Sequence, residues 1–434
     1  MQTLLQLQSG ALKGATQLTL ACTLTEFPTE IYSLADTLEI LDLSNNQLSQ
    51  LPDDFIKLQR LKILFLSNNL FTIFPEVLAQ MPSLTMIGFK NNQIAFIAED
   101  AIPVQTRWLI LTDNNLKTLP KSIGKCTKLE KFPIAGNQLE TLPDEMANCS
   151  SLALLRISAN QLQALPNWLF TMPKLAWLAF SGNPFSKKIT HNIPLQTINW
   201  QQLSLTEQLG EGASGIISKA IWQKDNHQQQ DVAVKVFKGA VTSDGYPEDE
   251  MTACILAGHH TNLVKVLGKI DNHPLQQQGL VLGLIPTVFY NLGLPPSFNT
   301  CTRDVFAVDT IFSIEQILAI AKAIASVGAH LHSNGIMHGD LYAHNTLVTA
   351  QHDTIFGDFG AASLYDTTTI QAGSLERIEV RAFGCLLDDL LQHSTLSNDA
   401  SNIDIMLQAL VLECLQPTVA LRPSFAAIVN ALEM

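Results

Sequence analysis

The sequence predicts a chain of two domains: an α/β solenoid through about residue 195, then, from residue 200, a domain that mixes strands and helices. Three observations carry this reading. Asparagine recurs at Asn46, Asn69, Asn92, Asn114, Asn137, Asn160 and Asn183, in steps of 23, 23, 22, 23, 23 and 23 residues. The repetition stops after Pro184, where a polar stretch over 186–196 leads into Trp200 and a new pattern. Beyond that break, residues 338–360 read HGDLYAHNTLVTAQHDTIFGDFG and set an acid, an amide and a second acid, Asp340, Asn345 and Asp358, in a fixed order.

Composition bounds the rest. With 434 residues, 47% hydrophobic and 15% charged, there is ample material for two cores. A net charge of -13 argues against a nucleic-acid partner, because affinity for a polyanion comes mainly from clustered lysine and arginine. The seven cysteines, odd in number, scattered and without a CxxC pair, read as reduced thiols and point to the cytoplasm. The N-terminus, MQTLLQLQSGALKG, lacks a basic region ahead of an apolar core, and no apolar run has the length to span a bilayer. No membrane role and no Sec-type export are expected, although a specialised secretion system could still carry such a chain.

Around each asparagine the pattern is LxxLxLxxNxLxxLP, as in Leu38, Leu41, Leu43, Asn46, Leu48, Leu51 and Pro52. This resembles the leucine-rich repeat family. A short strand presents alternate side chains inward, the chain turns, and the asparagine amide satisfies backbone groups that the turn would otherwise bury unpaired. Each coil buries its apolar face only against its neighbours, so the ends need caps. Thr23 holds the asparagine position in a degenerate first coil behind Leu18 and Leu20, as expected of an N-terminal cap. The outward strand positions form a row, Ile40, Ile63, Met86, Trp108, Lys131, Leu154 and Trp177, apolar at all but Lys131. Such a row marks a contact with a protein partner or substrate on the concave face or with the chain's own second domain, or else is simply a strand surface of high β propensity.

The second domain opens with LTEQLGEGASGIISKA from Leu205, then VAVKVF from Val232. Two strand-like runs flank a glycine turn. Gly210, Gly212 and Gly215 lack side chains, which lets backbone amides approach phosphates, and Lys235 follows on the next strand. A dinucleotide-binding domain would need a helix straight after the glycines and an acidic ribose ligand, and neither is evident. A carboxylate to hold Lys235 is available at Glu248, Asp249 or Glu250, and helical spacing follows them. An amphipathic helix begins at Ser313 and runs into the acid–amide–acid stretch, while 287–312 has no periodicity and no assignment.

Taken in order, the glycine turn, Lys235, Glu250 and the stretch from Asp340 to Asp358 resemble the protein kinases over residues 200–434. The resemblance implies an α/β leucine-rich-repeat solenoid followed by an α+β bilobal protein-kinase-like domain, similar as a whole to bacterial leucine-rich-repeat protein kinases. It implies ATP and Mg2+. Residues 210–215 (Gly210, Glu211, Gly212, Ala213, Ser214, Gly215) would cover the phosphates, with Ile217 and Ala233 beside the nucleotide. Leu282, as gatekeeper, Gly283 and Ile285 would line the adenine, and Lys235, held by Glu250, would grip the phosphates. Asn345 and Asp358 would bind the metal, and Asp340 would accept the proton of the attacking hydroxyl. A protein kinase acting on Ser or Thr is the function implied. The alternative is a pseudokinase adaptor that binds nucleotide and partners without catalysis.

Departures from the family pattern give the alternative its support. Gly339 stands where most of the family has arginine, and Tyr342 replaces a lysine, so that either His344 or a different geometry must compensate or turnover is slow. No Ala-Pro-Glu appears after Gly360. Glu379 occupies the place of an anchoring aspartate, and Arg422 is expected to pair with Glu376. His338 is read as a packed support for Phe359, and His259, His260, His330 and His332 as surface or helix-end residues.

Overall fold

The computed structural model describes residues 2–433 apart from 187–194, 213, 225–227, 239–240, 243 and 395–401. Packing divides the chain into two compact units, Met1–Lys174 with Asn183–Phe185, and Leu175–Gly182 with Ser186–Met434. The sequence division into 1–195 and 200–434 therefore differs from the packing at two places: Leu175–Gly182 groups with the second unit, and that unit resumes at Ser186, ahead of the expected boundary.

Short parallel strands follow one another in chain order through the repeats. Their first residues stand in register, Ile40 against Ile63, Ile63 against Met86, Met86 against Trp108, Trp108 against Lys131 and Lys131 against Leu154. The next residue of each strand, such as Leu41, Leu64, Ile87 and Leu109, is fully buried in the leucine core. On the return path most coils form a 3-10 turn directly after a proline, as in Asp53–Lys57 after Pro52 and Lys121–Lys125 after Pro120. The fixed φ of the proline ring suits that entry.

The seven asparagines form the expected ladder. Asn69 accepts from Leu48 N at 2.9 Å and donates to the Leu43 and Leu66 carbonyls at 2.9 and 3.1 Å. Asn160 does the same with Leu139 N, Ile134 O and Ile157 O. Thr23 does not continue the series. Its residue is exposed, its hydroxyl donates to the Cys22 carbonyl, and the Cys22 and Leu24 amides donate instead to Asn46 Oδ1. Ahead of this coil stands the helix Leu4–Gln8, closed by a reciprocal Thr3–Gln6 capping box.

The apolar row on the strands is less open than expected. Ile63, Met86, Leu154 and Trp177 are buried, whereas Ile40 and Trp108 remain half-buried. Lys131, the polar member, lays its ammonium over the Trp108 ring.

The second unit begins with a six-stranded sheet in the order 203–211, 215–223, 229–237, 279–283, 266–271, 197–199. Five of its strands pair antiparallel around a core of Val232, Val234, Ile270 and Val281. The sixth, Thr197–Asn199, joins in parallel from between the polar stretch 186–196 and Trp200. Helix Pro247–Ala257 packs on this sheet through Met251. The rest is mainly helical: Ile314–Ser333, Ala372–Gln392, Asn402–Cys414 and Phe425–Glu433. Ser313 and Gln316 cap the first of these reciprocally. That helix is long and apolar enough to cross a bilayer, but Ile317, Ile320, Ile324 and Leu331 are buried, and a Cβ on Gly328 would lie 2.5 Å from the Phe425 ring. It reads as a core helix.

Candidate active site

Strand Gln229–Phe237 carries Lys235, opposite Leu280 on the neighbouring strand. Helix Pro247–Ala257 starts with proline and three acidic residues, the composition that a helix N-terminus favours. Of the three, Glu250 is 2% exposed and forms a salt bridge with Lys235, while Glu248 accepts from Gln278 Nε2. Burial opposes the Lys235 ammonium, yet Glu250 and Asp358 outweigh it and hold the lysine above its ordinary pKa.

The loop after Met337 is held from several sides. His338 sits 4.2 Å from the Phe356 ring and 5.1 Å from that of Phe359. Its Nε2 faces the Gly357 carbonyl at 3.0 Å and must donate there, which leaves Nδ1 to accept from Asp340 N at 3.3 Å. Burial lowers its pKa despite the carboxylates nearby, so the ring is neutral. Asn345 Nδ2 donates to Asp340 at both the carbonyl, 3.0 Å, and Oδ2, 2.7 Å, which fixes the acid and the amide relative to one another. Asp358 lies in the left-handed region, φ 57°, and accepts from Gly360 N.

Glu379, on helix Ala372–Gln392, accepts from the His338 and Gly339 amides and bonds His332 Nε2 at 2.8 Å. One buried carboxylate thereby ties this loop to two helices. Burial raises its pKa, but the His332 bond and the Gly339 amide more than offset this and hold it below the usual glutamate value.

Sequence reasoning missed a second carboxylate of this kind. Asp304, in the unassigned stretch 287–312, accepts from Ala343 N and from His344 N at 3.2 Å and bonds His344 Nδ1 at 2.7 Å. Next to it, Arg303 is anchored to helix Ala372–Gln392 by Asp388 and Asp389. The stretch is a brace under the loop, with no spacing rule that could have announced it. The expected pairing of Arg422 with Glu376 is corrected: Glu376 accepts the Phe425 amide, and Arg422 donates to the Gln416 and Arg377 carbonyls.

These elements enclose a cleft of about 550 Å3, within the range of small-ligand sites. Lining it are Gly212, Ser214, Gly215, Ile217, Ala233, Lys235, Glu250, Leu282, Gly283, Ile285, Asn345 and Asp358. Gly210 and Glu211 are not among the lining residues; the Glu211 carboxylate pairs with Lys238 instead. Ala213 lies outside the described residues. Asp340 is not among the lining residues either, but it is bonded to Asn345, which is, and His344 lines the cleft. Sequence reasoning also missed Leu209, Val266 and Leu347, apolar lining residues whose alternation on strands was the one available signal.

The donor set fits a magnesium nucleotide. Asn345 and Asp358 offer hard oxygen ligands, and among the described residues no group of three or more His, Cys, Asp or Glu forms a cage of its own. Mg2+ is commonly held this way, completing its shell with phosphate oxygens and water. The Gly212 amide donates to Gly215 O at 2.9 Å and its carbonyl accepts from Lys238 Nζ at 3.2 Å, whereas Gly215 is required by the sheet, since a Cβ there would lie 2.5 Å from Val236 O.

Comparison with known proteins agrees with this geometry. Residues 203–393 match the family model described as protein tyrosine and serine/threonine kinase, and residues 36–94 match the leucine rich repeat model. The chain joins leucine-rich repeats to a protein kinase domain. It is 27% identical over 185 residues to Tyrosine-protein kinase receptor TYRO3 of Danio rerio, covering 41% of this chain and 21% of that protein. It is 26% identical over 234 residues to Cyclin-dependent kinase 10 of Bos taurus, 47% of this chain and 59% of the relative. With Probable serine/threonine-protein kinase gdt4 of Dictyostelium discoideum it shares 29% over 153 residues, 35% of this chain and 8% of the relative. The chain thus spans well under two thirds of each of these proteins.

Proposed function

We propose that this chain transfers the γ-phosphoryl group of ATP, with Mg2+, to a serine or threonine hydroxyl of a protein, and that the repeats select that protein. The observation that carries the reading is the convergence on one cleft of the Lys235–Glu250 pair, Asn345 with Asp340 attached, and Asp358. In this reading Lys235 orients the phosphates, and Leu282, Gly283 and Ile285 line the base. Mg2+ on Asn345 and Asp358 would supply charge neutralisation for the phosphates. Asp340 takes the hydroxyl proton as that oxygen bonds to phosphorus and the bond to the ADP oxygen breaks. The half-buried Ile40 and Trp108 are the members of the apolar row still accessible to a partner. Seven free cysteines are compatible with a reducing compartment, and the cytoplasm is part of the proposal. The whole-chain arrangement resembles bacterial leucine-rich-repeat kinases, whereas the relatives named above are eukaryotic.

Incubation with labelled ATP and Mg2+ tests this. Wild-type protein is expected to phosphorylate itself or a generic protein substrate, with Lys235→Ala and Asp340→Ala reduced at least 100-fold. Phosphoamino-acid analysis then distinguishes serine and threonine from tyrosine. Equal signals from wild type and both variants would favour the adaptor reading.

A further inference from the structure

Two of the departures in the catalytic loop, Gly339 and Tyr342, meet the same short segment, Leu175–Gly182, which packs within the second unit. The Trp177 indole stacks on the Tyr342 ring, centroids 4.5 Å apart and planes 4° from parallel. Its Nε1 donates to the Leu341 carbonyl at 3.0 Å. Leu341 and Tyr342 are the two residues directly after Asp340. Gly339 lies at φ +75°, and a Cβ on it would come within 2.6 Å of Leu178 O and 2.8 Å of Ala361 O. Backbone of the segment therefore fills the space that a side chain at 339 would need.

The same segment reaches two further parts of the site. Ser363 Oγ, three residues after Gly360, accepts from the amides of Phe180 at 2.8 Å and Ser181 at 3.1 Å. Gly182, at φ +70°, packs against Tyr246 and Asp249 at the start of the helix that carries Glu250, where a Cβ would lie 2.8 Å from the Tyr246 ring. Eight consecutive residues thus touch the loop of Asp340, the segment after Asp358 and the helix of Glu250. All three must hold their relative positions for phosphoryl transfer, and a displacement of about 1 Å in such a constellation costs on the order of 100-fold in rate.

We propose that Trp177 is a positioning residue for this reaction, and that the segment around it holds the catalytic loop and the stretch after Gly360 in working geometry from within the chain. The inference rests on the kinase reading given above. Trp177 does not line the nucleotide cleft, so its effect falls on turnover and leaves nucleotide binding alone.

The test uses the full chain, with rates of transfer from labelled ATP·Mg2+ to a generic protein substrate, the KM for ATP, and the melting shift on adding ATP·Mg2+. Trp177→Ala is expected to lower kcat 10- to 100-fold with the KM for ATP and the nucleotide-induced shift kept within about twofold. Trp177→Phe, which keeps an aromatic ring for the stack and loses the N–H with part of the indole, is expected to recover kcat to within about fivefold of wild type. Ser363→Ala is expected to lower kcat several-fold with the same KM. The proposal is overturned if folded Trp177→Ala turns over at the wild-type rate. It is equally overturned if nucleotide binding and cooperative melting are lost together with activity and Trp177→Phe rescues none of them, since the role is then only structural. A wild-type rate no higher than that of Lys235→Ala would instead refute the kinase reading itself.

Discussion

Asp304 shows what a single carboxylate does when its partners are all on one loop. It is 7% exposed and accepts two backbone amides besides the His344 ring nitrogen. Replacing it with alanine leaves buried donors without a partner, at about 1–3 kcal/mol each. Asp304→Ala is expected to lose roughly 2–4 kcal/mol in urea denaturation and to slow turnover about tenfold, with Asp304→Asn recovering part of both because its amide oxygen still accepts. Lys235 and Glu250 could be read from the sequence because each sits in a local pattern, a VAVK strand and a helix start, and the fold needed only to bring the two together. Asp304 could not, since its partners lie 39 and 40 residues away with nothing periodic between them.

Among elements, the asparagine ladder was legible to the residue because a period of 22–23 is a long-range signal repeated seven times. Its energetics follow from geometry. Asn160 is 1% exposed and serves Leu139 N, Ile134 O and Ile157 O at once. Asn160→Ala is expected to lower the denaturant midpoint of the repeats by an amount equivalent to about 3 kcal/mol or more, whereas Thr23→Ala, at an exposed position off the ladder, is expected to change it by less than about 0.5 kcal/mol. The strand Thr197–Asn199 escaped notice for the opposite reason. Three residues, two of them polar, carry no pattern of their own, and their strand character comes from pairing with Lys269, Ile270 and Asp271.

For the molecule as a whole, Glu379 couples acid stability to the integrity of the site. Its folded pKa lies below the unfolded value, so it stabilises the fold at pH above about 4.3, and that contribution is lost as pH falls through the folded value. Stability measured by denaturant is expected to drop steeply below about pH 4. Glu379→Gln is expected to be less stable at neutral pH and to show a flatter profile in that acid window, because it has no proton to take up. The order of motifs along the chain disclosed the two-domain plan and most of the cleft. What it could not disclose was which part of the repeats groups with the catalytic unit, because a strand reads the same whichever surface it finally covers.

The placement of Leu175–Gly182 in the second unit has a bearing on how such a chain can change over time. Solenoids grow and shrink by duplicating or deleting whole coils, since each coil interacts only with its neighbours. Here that freedom ends at Lys174. Coils upstream can be gained or lost in steps of 23 residues, but the terminal strand answers to two masters, the leucine pattern and the loop of Asp340. A substitution in Leu175–Gly182 therefore acts on the leucine pattern and on the loop of Asp340 at once, whereas one in an upstream coil acts on its neighbouring coils alone.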